Sequence, residues 1–354
     1  MRIAVVQTYP IYHDLISTEQ WIKKDTRDLL IPTILSEMGH EVELWAVGTE
    51  AASIPMKGYE LKVFRPDREG GRTKFHTSDT MVKHAQAFSP DACLLKGVDG
   101  GVGTHLIKHF LLRNRVPYSF IIGGEYYSKY IKRASCMLVE SAKQYALLTA
   151  PPKFWHAKYP SHRIVHLSKT VNLDHFSPAT DSEKTWDVIT SGRLIPNYKN
   201  YTALDVLPSS VRIAVVGGGP MLEELKKTYP AVDWLGHVPH SEVVGYLQKS
   251  KIFIYTSTKD YFPRSISEAI ACGLPTVAVK GNLSHDVISP DRGIISSLPD
   301  LKSNVLSLLA DEERLKAMSA NCRAFALEEF DASNLLSPLQ QALDLMKEDG
   351  NSAS

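Results

Sequence analysis

Cysteine is scarce in this sequence of 354 residues, and the four cysteines are far apart. Cys93, Cys136, Cys272 and Cys322 form no CxxC pair and show no spacing typical of metal ligands. A disulfide framework is therefore disfavoured, and free thiols in a reducing compartment are favoured. No metal site is expected from these residues.

Long apolar runs are also missing. No segment approaches about 18 uninterrupted apolar residues, so no transmembrane helix is predicted. The first six residues are typical of a β-strand and lack the apolar core of a signal peptide. We therefore expect a cytoplasmic protein, with peripheral attachment to the inner membrane face as an open alternative.

A strong charge of one sign is absent as well, because the formal net charge is only +1. Residues 1–176 contain 23 Lys and Arg against 17 Asp and Glu, whereas residues 177–354 contain 17 against 22. A basic half suits an anionic acceptor or a membrane surface, but a mildly uneven solvated surface is the favoured explanation. Nucleic-acid binding is not supported, since no dense basic run with interleaved aromatic residues occurs.

Short apolar runs alternate with helical patterns along the whole chain, which predicts an α/β fold with two parallel sheets. A chain of this length suggests about two domains. Strands are predicted at Arg2–Gln7, Glu41–Val47, Leu61–Phe64, Ala92–Leu95, Tyr118–Ile122, Asp187–Ser191, Val211–Val216, Val232–Leu235, Ile252–Thr256 and Pro275–Val279.

The predicted domains are residues 1–177 and residues 185–330. The polar, turn-rich segment Pro178–Lys184 is the predicted linker. A final helix is predicted over residues 331–347, after the second sheet. This helix is a candidate to cross back and pack on the first domain. The tail from Glu348 is expected to be frayed.

Ligands of open α/β sheets bind beyond the carboxyl ends of the strands, so the loops after the strands of the second half are the candidate sites. The first of these loops carries Arg193 and Lys199 after a predicted strand. A guanidinium fork and a point charge on one loop suit a diphosphate. Two solvated surface cations are the alternative.

The second loop is a glycine turn, Gly217-Gly218-Gly219-Pro220, between a strand and a helix. Glycines let a ligand approach the main chain, and a helix N-terminus attracts anions. We take Gly218 and Gly219 as candidate ligand contacts. A tight strand-to-helix turn without a ligand is the alternative.

The third loop follows the strand that ends near Thr256 and runs into a helix. Backbone amides at the helix start would bind phosphate, and Glu268 would accept hydrogen bonds from two ribose hydroxyls. A first-turn acid stabilised by the helix dipole is the alternative for Glu268, and a turn residue is the alternative for Asp260. The candidate residues here are Asp260, Tyr261, Phe262, Pro263, Arg264, Ser265 and Glu268.

These loops resemble the retaining glycosyltransferase family 4, also described as glycosyl transferases group 1. The resemblance covers roughly residues 186–295 and rests on Gly192-Arg193-Leu194 with Lys199-Asn200, Gly217–Pro220, Gly236-His237-Val238, and Asp260 with Glu268–Pro275. It implies the GT-B fold, in which two doubly wound Rossmann-like domains face a central cleft. Residues 1–177 would then bind the acceptor, and residues 185–330 would bind the nucleotide sugar.

The resemblance also implies residue roles. Arg193 and Lys199 would bind the donor diphosphate, Glu268 the ribose and Asp260 the transferred sugar, while Val238 would lie near the base. The sequence departs from the family pattern in two places, since Asp260 replaces a glutamate and Tyr261 replaces a glycine. Both departures bear on the identity of the donor sugar.

The first half matches the family less closely. Its first strand is followed by a loop without the usual Gly-Gly, and a catalytic histidine that many members carry is absent from the segment Ile121–Glu125. Glu125, or the amide of Gly124, is the candidate substitute. Other candidates are His13, Lys96 and His105, for each of which a surface or structural role is the alternative.

The expected function is sugar transfer from a UDP- or GDP-sugar to a lipid carrier, a glycan or a small molecule. Retention of configuration is implied by the resemblance, and metal independence by the lack of a DxD-like motif; no cofactor besides the nucleotide-sugar co-substrate is expected. The alternatives are a GT-B epimerase or phosphorylase and a non-catalytic nucleotide-sugar-binding subunit. The nicotinamide oxidoreductase class is disfavoured, because neither half contains GxGxxG with an acidic residue about 20 positions later.

Overall fold

The structure is a computed structural model, which describes residues 1–14, 17–23, 27–123, 128–150, 158–179, 183–196, 201–205 and 207–352. The chain divides into two compact units, Met1–Ser168 together with Ala332–Ser354, and Lys169–Asp331. The predicted linker, Pro178–Lys184, falls within the sequence range of the second unit. No helix among the described ranges is both long and apolar enough to cross a bilayer.

Fourteen strands occur in the described part of the chain. They are β1 Arg2–Gln7, β2 Glu41–Val47, β3 Ala52–Pro55, β4 Glu60–Phe64, β5 Ala92–Lys96, β6 Tyr118–Ile121, β7 Cys136–Val139, β8 Ile164–His166, β9 Trp186–Ser191, β10 Ile213–Val216, β11 Asp233–Gly236, β12 Ser250–Tyr255, β13 Thr276–Val279 and β14 Gly293–Ser296.

Eleven α-helices accompany these strands in the described ranges. They are α1 Thr18–Ile22, α2 Arg27–Glu37, α3 Asp79–Phe88, α4 Gly101–Leu106, α5 Ala142–Thr149, α6 Leu222–Thr228, α7 Val243–Gln248, α8 Arg264–Ala271, α9 Leu301–Ala310, α10 Glu312–Glu329 and α11 Leu336–Ser352. Helix α4 continues directly into a π-helical turn over Ile107–Leu111.

The first unit is built on an eight-stranded sheet in the order β3-β4-β2-β1-β5-β6-β7-β8. Its strands are parallel except β3, which pairs antiparallel with β4. Both faces are covered: Ile3 and Val5 of β1 pack into one apolar core, while Ala4 and Val6 pack into another. Burial on both faces explains why β1 and β2 are almost continuously apolar.

The second unit contains a six-stranded, fully parallel sheet in the order β11-β10-β9-β12-β13-β14. The chain runs outward from β9 to β11 and then returns to place β12 on the other side of β9. The strand order therefore reverses between β9 and β12, which is the position where open α/β sheets bind ligands. The carboxyl ends of all these strands lie along one edge.

The C-terminal tail is helical as far as Ser352, so the prediction that it frays from Glu348 is wrong for the described residues. Helix α11 continues to Ser352 and buries Leu339, Leu343 and Met346 completely in a core of the first unit. Near its end, both carboxylate oxygens of Asp349 accept hydrogen bonds from the Arg163 guanidinium at 2.8 Å. A polar tail is held here because its helix also carries an apolar face.

Each unit therefore consists of a parallel sheet covered by helices, and the predicted α/β class is confirmed. Most predicted strands are found within two or three residues of their predicted bounds. The structure adds strands β3, β7, β8 and β14, which the sequence patterns did not predict.

Candidate functional site

The loop after β9 and the glycine turn after β10 are joined through their main chains. The amide of Gly192 donates to the carbonyl of Val216 at 2.9 Å, and the amide of Leu194 donates to the carbonyl of Gly218 at 2.9 Å. A Cβ atom at position 217 would lie 1.9 Å from the Gly192 carbonyl oxygen. Gly217 is therefore required by the close approach of two loops, whether or not a ligand binds.

Gly219 is explained in the same way, since a Cβ atom there would lie 2.3 Å from the Leu194 carbonyl oxygen. Both Gly217 and Gly219 have φ of 153°, in the region that favours glycine. Gly218, a predicted ligand contact, lies against His237. A Cβ atom added at position 218 would be 3.2 Å from the Cβ atom of His237. The turn thus places the loops after β9, β10 and β11 in contact.

Arg193 follows β9 at this carboxyl edge and is exposed. Its carbonyl oxygen accepts a hydrogen bond from the Tyr201 hydroxyl at 3.4 Å. The second predicted cation, Lys199, lies outside the described residues. The predicted pairing of two cations on this loop therefore remains a prediction, with Arg193 in the expected position.

Val238, predicted near the base, follows β11. Its side chain is half-buried and packs against the apolar core of the second unit. The adjacent Gly236 has φ of 71° and accepts a hydrogen bond from the Gly217 amide at 2.8 Å. The turn after β11 is thus fixed to the glycine turn.

Helix α8 starts at the same edge, with Pro263 as an extended N-cap residue. Arg264 is exposed and Ser265 is half-buried at the helix start. The side chain of Tyr261 is buried, and the ring of Phe262 packs on Phe330 at 6.0 Å between centroids. Tyr261 and Phe262 therefore direct their side chains into the unit, and their main chains remain the groups suited to a ligand.

Glu268 lies on α8 and is only 5% exposed. Its Oε1 atom lies 2.8 Å from Nε2 of His240, which is on the loop after β11. A buried carboxylate needs such a partner, because an unpaired charge in this position is strongly destabilising. His240 was not among the predicted site residues. Its position shortly after β11, a strand that ends at this edge, is the sequence signal that could have identified it.

Asp260 lies on the loop between β12 and α8. One of its oxygens accepts a hydrogen bond from the hydroxyl of Tyr255 at 2.5 Å. Tyr255 is the last residue of β12 and is 1% exposed, so a rigid strand end fixes the position of this carboxylate.

Cys272 directly follows α8 but is unsuited to nucleophilic chemistry. Burial raises the pKa of its thiol to about 12, and the negative charge of Glu268 acts in the same direction. A thiolate is therefore not available at neutral pH.

The candidates in the first unit have structural partners. Nδ1 of His13 lies 2.7 Å from the Thr73 hydroxyl, Lys96 pairs with the buried Asp28, and Nε2 of His105 lies 2.7 Å from Asp79. These contacts agree with the structural alternative for each. The remaining candidate, Glu125, lies outside the described residues, as does Gly124.

One group in the first unit has the composition of a metal site. Ligand atoms of Asp67, Asp79 and His105 all lie within 4.8 Å of one another, and both aspartates are exposed. Asp67 also accepts hydrogen bonds from the Asp79 amide at 2.7 Å and the Thr77 hydroxyl at 2.6 Å. These bonds hold the start of α3, which gives the cluster a structural explanation.

The second unit matches a known family. Residues 174–325 match the family model for glycosyl transferases group 1, so the resemblance found in the sequence is confirmed. The match contains Arg193, Asp260 and Glu268 together with the glycine turn. It covers less than half of the chain.

Curated relatives match over part of their length. One subunit of the phosphatidylinositol N-acetylglucosaminyltransferase of Arabidopsis thaliana is 31% identical over 153 residues, which are 39% of this chain and 34% of the relative. A GDP-mannose-dependent phosphatidylinositol monomannoside mannosyltransferase of Mycolicibacterium smegmatis is 26% identical over 209 residues, which are 50% of this chain and 55% of the relative. The chain thus spans about a third to a half of these relatives.

Solved structures match over nearly the whole chain. Sucrose-phosphate synthase of Thermosynechococcus elongatus superposes with a TM-score of 0.74 at 17% identity, covering 100% of both chains. HepE of Anabaena, in a structure with UDP, superposes with a TM-score of 0.69 at 16% identity, covering 97% of this chain and 100% of HepE. These likenesses establish that the chain has the GT-B fold.

Proposed function

We propose that this chain is a glycosyltransferase that moves a sugar from a nucleotide diphosphate donor to an acceptor. The observation that carries the proposal is the placement of Arg193, Asp260 and Glu268 along one carboxyl edge of the second sheet. This edge includes the topological switch point and lies inside the segment that matches glycosyl transferases group 1.

The donor would bind through its three parts. Arg193 supplies a guanidinium for the diphosphate, and the start of α8 supplies main-chain amides for the same charge. Glu268 would accept hydrogen bonds from the ribose, and Asp260 would contact the transferred sugar. Lys199 would add a second positive charge to the diphosphate.

The reaction would break the bond between the anomeric carbon and the diphosphate oxygen and form a bond to an acceptor oxygen. The developing negative charge on the leaving phosphate would be stabilised by Arg193, Lys199 and the amides at the start of α8. For a front-side attack, the departing phosphate would take the acceptor proton. Retention and metal independence belong to the proposal and rest on the family resemblance.

A UDP- or GDP-sugar is the proposed donor. The Mycolicibacterium relative is described as GDP-mannose-dependent, and HepE was solved with UDP. The acceptor would be a lipid carrier, a glycan or a small molecule, and two of the relatives act in phosphatidylinositol glycosylation by name. Peripheral membrane contact would follow for a lipid acceptor.

Calorimetric titration with UDP and GDP, followed by incubation with UDP- and GDP-sugars, tests the proposal. The wild type should bind either UDP or GDP. When it is incubated with the sugar donor that carries the same nucleotide, it should release that free nucleotide. Glu268→Ala and Arg193→Ala should each weaken binding about tenfold or more, since each removes a charged hydrogen-bond partner. Arg314→Ala is the matched control, because this exposed arginine lies on α10 away from the edge.

The outcome also separates the alternatives. Binding without release of nucleotide from any donor would favour a non-catalytic binding protein. Detection by NMR of a rearranged sugar product in the absence of acceptor would favour an epimerase. Failure to bind either nucleotide would contradict the proposal.

A further inference from the structure

The contact between His240 and Glu268 joins two elements that are distant in sequence. His240 starts a short 3-10 helix after β11, whereas Glu268 is in the fifth position of α8. Nε2 of His240 and Oε1 of Glu268 are 2.8 Å apart. The loop after β11 therefore controls the position of a carboxylate on another element.

The geometry of this contact restrains the carboxylate. The Glu268 side chain is 7% exposed, so the few orientations open to it are set by its neighbours. His240 binds Oε1, and this bond together with the burial of the side chain restrains the orientation of the carboxylate. A carboxylate recognises a pair of vicinal hydroxyls well only when it is held in one orientation.

The imidazole is itself held in place. Its ring packs against Phe176, with 5.4 Å between centroids and 52° between planes. Phe176 is 2% exposed, and its carbonyl oxygen accepts a hydrogen bond from Arg323 at 2.9 Å. His240 thus lies between a fixed aromatic ring and the carboxylate, while 35% of its side chain is exposed toward solvent.

The contact with Glu268 shows that His240 does more than pack its ring against Phe176. We propose that His240 is the positioning residue for Glu268, and that it thereby sets how strongly the site prefers ribonucleotides over 2′-deoxyribonucleotides. The inference rests on the proposed function, in which Glu268 binds the donor ribose. His240 touches neither the sugar nor the phosphate in this scheme and acts through the carboxylate.

The experiment compares the affinities for UDP, GDP and their 2′-deoxy forms by calorimetry. The wild type should bind the ribonucleotide about tenfold more tightly than its 2′-deoxy form, as expected when one hydrogen bond to a charged group is lost. Glu268→Ala should abolish this preference. His240→Phe keeps a ring against Phe176 but removes the donor, and it should reduce the preference to about threefold or less.

The conservative variant tests the hydrogen bond itself. The amide nitrogen of a glutamine reaches about as far as Nε2 of histidine, so His240→Gln should restore most of the preference. His240→Asn carries the same amide on a shorter side chain and should not restore it. Circular dichroism shows which variants fold, and the Gln and Asn pair remains decisive if the Phe variant does not.

Two results would overturn the inference. A wild-type preference that is unchanged in His240→Phe and His240→Asn would show that Glu268 needs no positioning partner. An equal loss of affinity for the ribo and 2′-deoxy forms would show that His240 has only a structural role. Absence of any nucleotide binding by the wild type would instead contradict the proposed function as well.

Discussion

The carboxylate of Asp260 combines a shortened side chain with a fixed hydrogen-bond donor. The family pattern has a glutamate here, and the aspartate is shorter by one methylene. Tyr255 donates to it from the end of β12 and is itself fully packed in the core of the second unit. The shorter acid is therefore held by a hydrogen bond from a buried strand end.

Tyr255→Phe should lower the turnover of a nucleotide sugar about tenfold while changing the affinity for the free nucleotide less than threefold. The phenylalanine fills the same space and removes only the hydrogen bond to a charged group, which is worth about 1.5–3 kcal/mol. Steady-state release of UDP or GDP, together with calorimetry, measures both quantities.

Tyr229→Phe is the matched control for this substitution. The Tyr229 hydroxyl also donates to an aspartate, Asp205, at 3.3 Å, but this pair lies on the exposed surface. Its loss should leave turnover unchanged. Equal turnover of wild type and Tyr255→Phe would show that Asp260 does not need the tyrosine.

The connection from β10 to α6 depends on how closely two loops approach. Gly217 has φ of 153°, and a Cβ atom there would meet the Gly192 carbonyl oxygen at 1.9 Å. A backbone atom cannot move aside as a flexible side chain does. Any larger residue at position 217 must therefore displace both the glycine turn and the Arg193 loop.

Gly217→Ala should destabilise the second unit by about 2–5 kcal/mol, through overpacking and an unfavourable φ. Urea unfolding followed by tryptophan fluorescence measures the change, since Trp186 and Trp234 are in this unit. The same variant should also weaken nucleotide binding, because the Arg193 loop shifts.

Gly245→Ala provides the opposite expectation in the same unit. Gly245 is inside α7, and nothing lies within 4 Å of the Cβ that alanine would add. Because alanine favours helix, this variant should gain about 0.5–1 kcal/mol. A neutral effect of Gly217→Ala would refute the close-approach explanation of the turn.

Helix α11 completes the first unit although it follows the second unit in sequence. Its apolar residues enter the same core as β1 and β2, and its end is tied to the start of β8 by the Arg163–Asp349 pair. The fold of the first unit therefore depends on the last segment of the described chain.

The pair should also make stability depend on pH. The Arg163 guanidinium lowers the pKa of Asp349 below its ordinary value of 3.8. Because the folded pKa is the lower one, the stabilisation is present above about pH 4 and is lost as the pH falls through the folded pKa. Asp349→Asn should lower the free energy of unfolding by about 1 kcal/mol at pH 7, a small value because the pair is partly exposed to solvent. In strong acid the substitution should leave the free energy of unfolding unchanged.

Thermal unfolding of the wild type and of Asp349→Asn from pH 2 to pH 7 measures whether their stabilities become equal in acid. Hydrogen exchange should place the lost protection in β7, β8 and α11. Asp344→Asn is the control, because Asp344 pairs with Lys347 on the exposed side of the same helix and should change stability by less than about 0.5 kcal/mol. A wild type and an Asp349→Asn variant that differ equally at all pH values would contradict the assignment.

Local patterns predicted the elements whose residues carry their own signal. Strands β1 and β2 occur at their predicted bounds, because long buried apolar runs ended by polar or glycine residues are unambiguous. Strands β7, β8 and β14 were missed, since segments of only three or four residues form a strand only when a neighbouring strand pairs with them. The ordered end of α11 was missed because its partner, Arg163, is 186 residues away.

The same division holds for the candidate site. The order of residue types along the chain was sufficient to single out the loops of the proposed donor site, since an arginine loop, a glycine turn and an acid on a helix each have a chemical meaning where they stand. The partners of two of those groups are set by packing between segments that are distant in sequence: His240 with Glu268, and Gly217 with Gly192. A hydrogen bond requires atoms within about 3 Å, and only the folded sheet brings residues 28 positions apart to that distance.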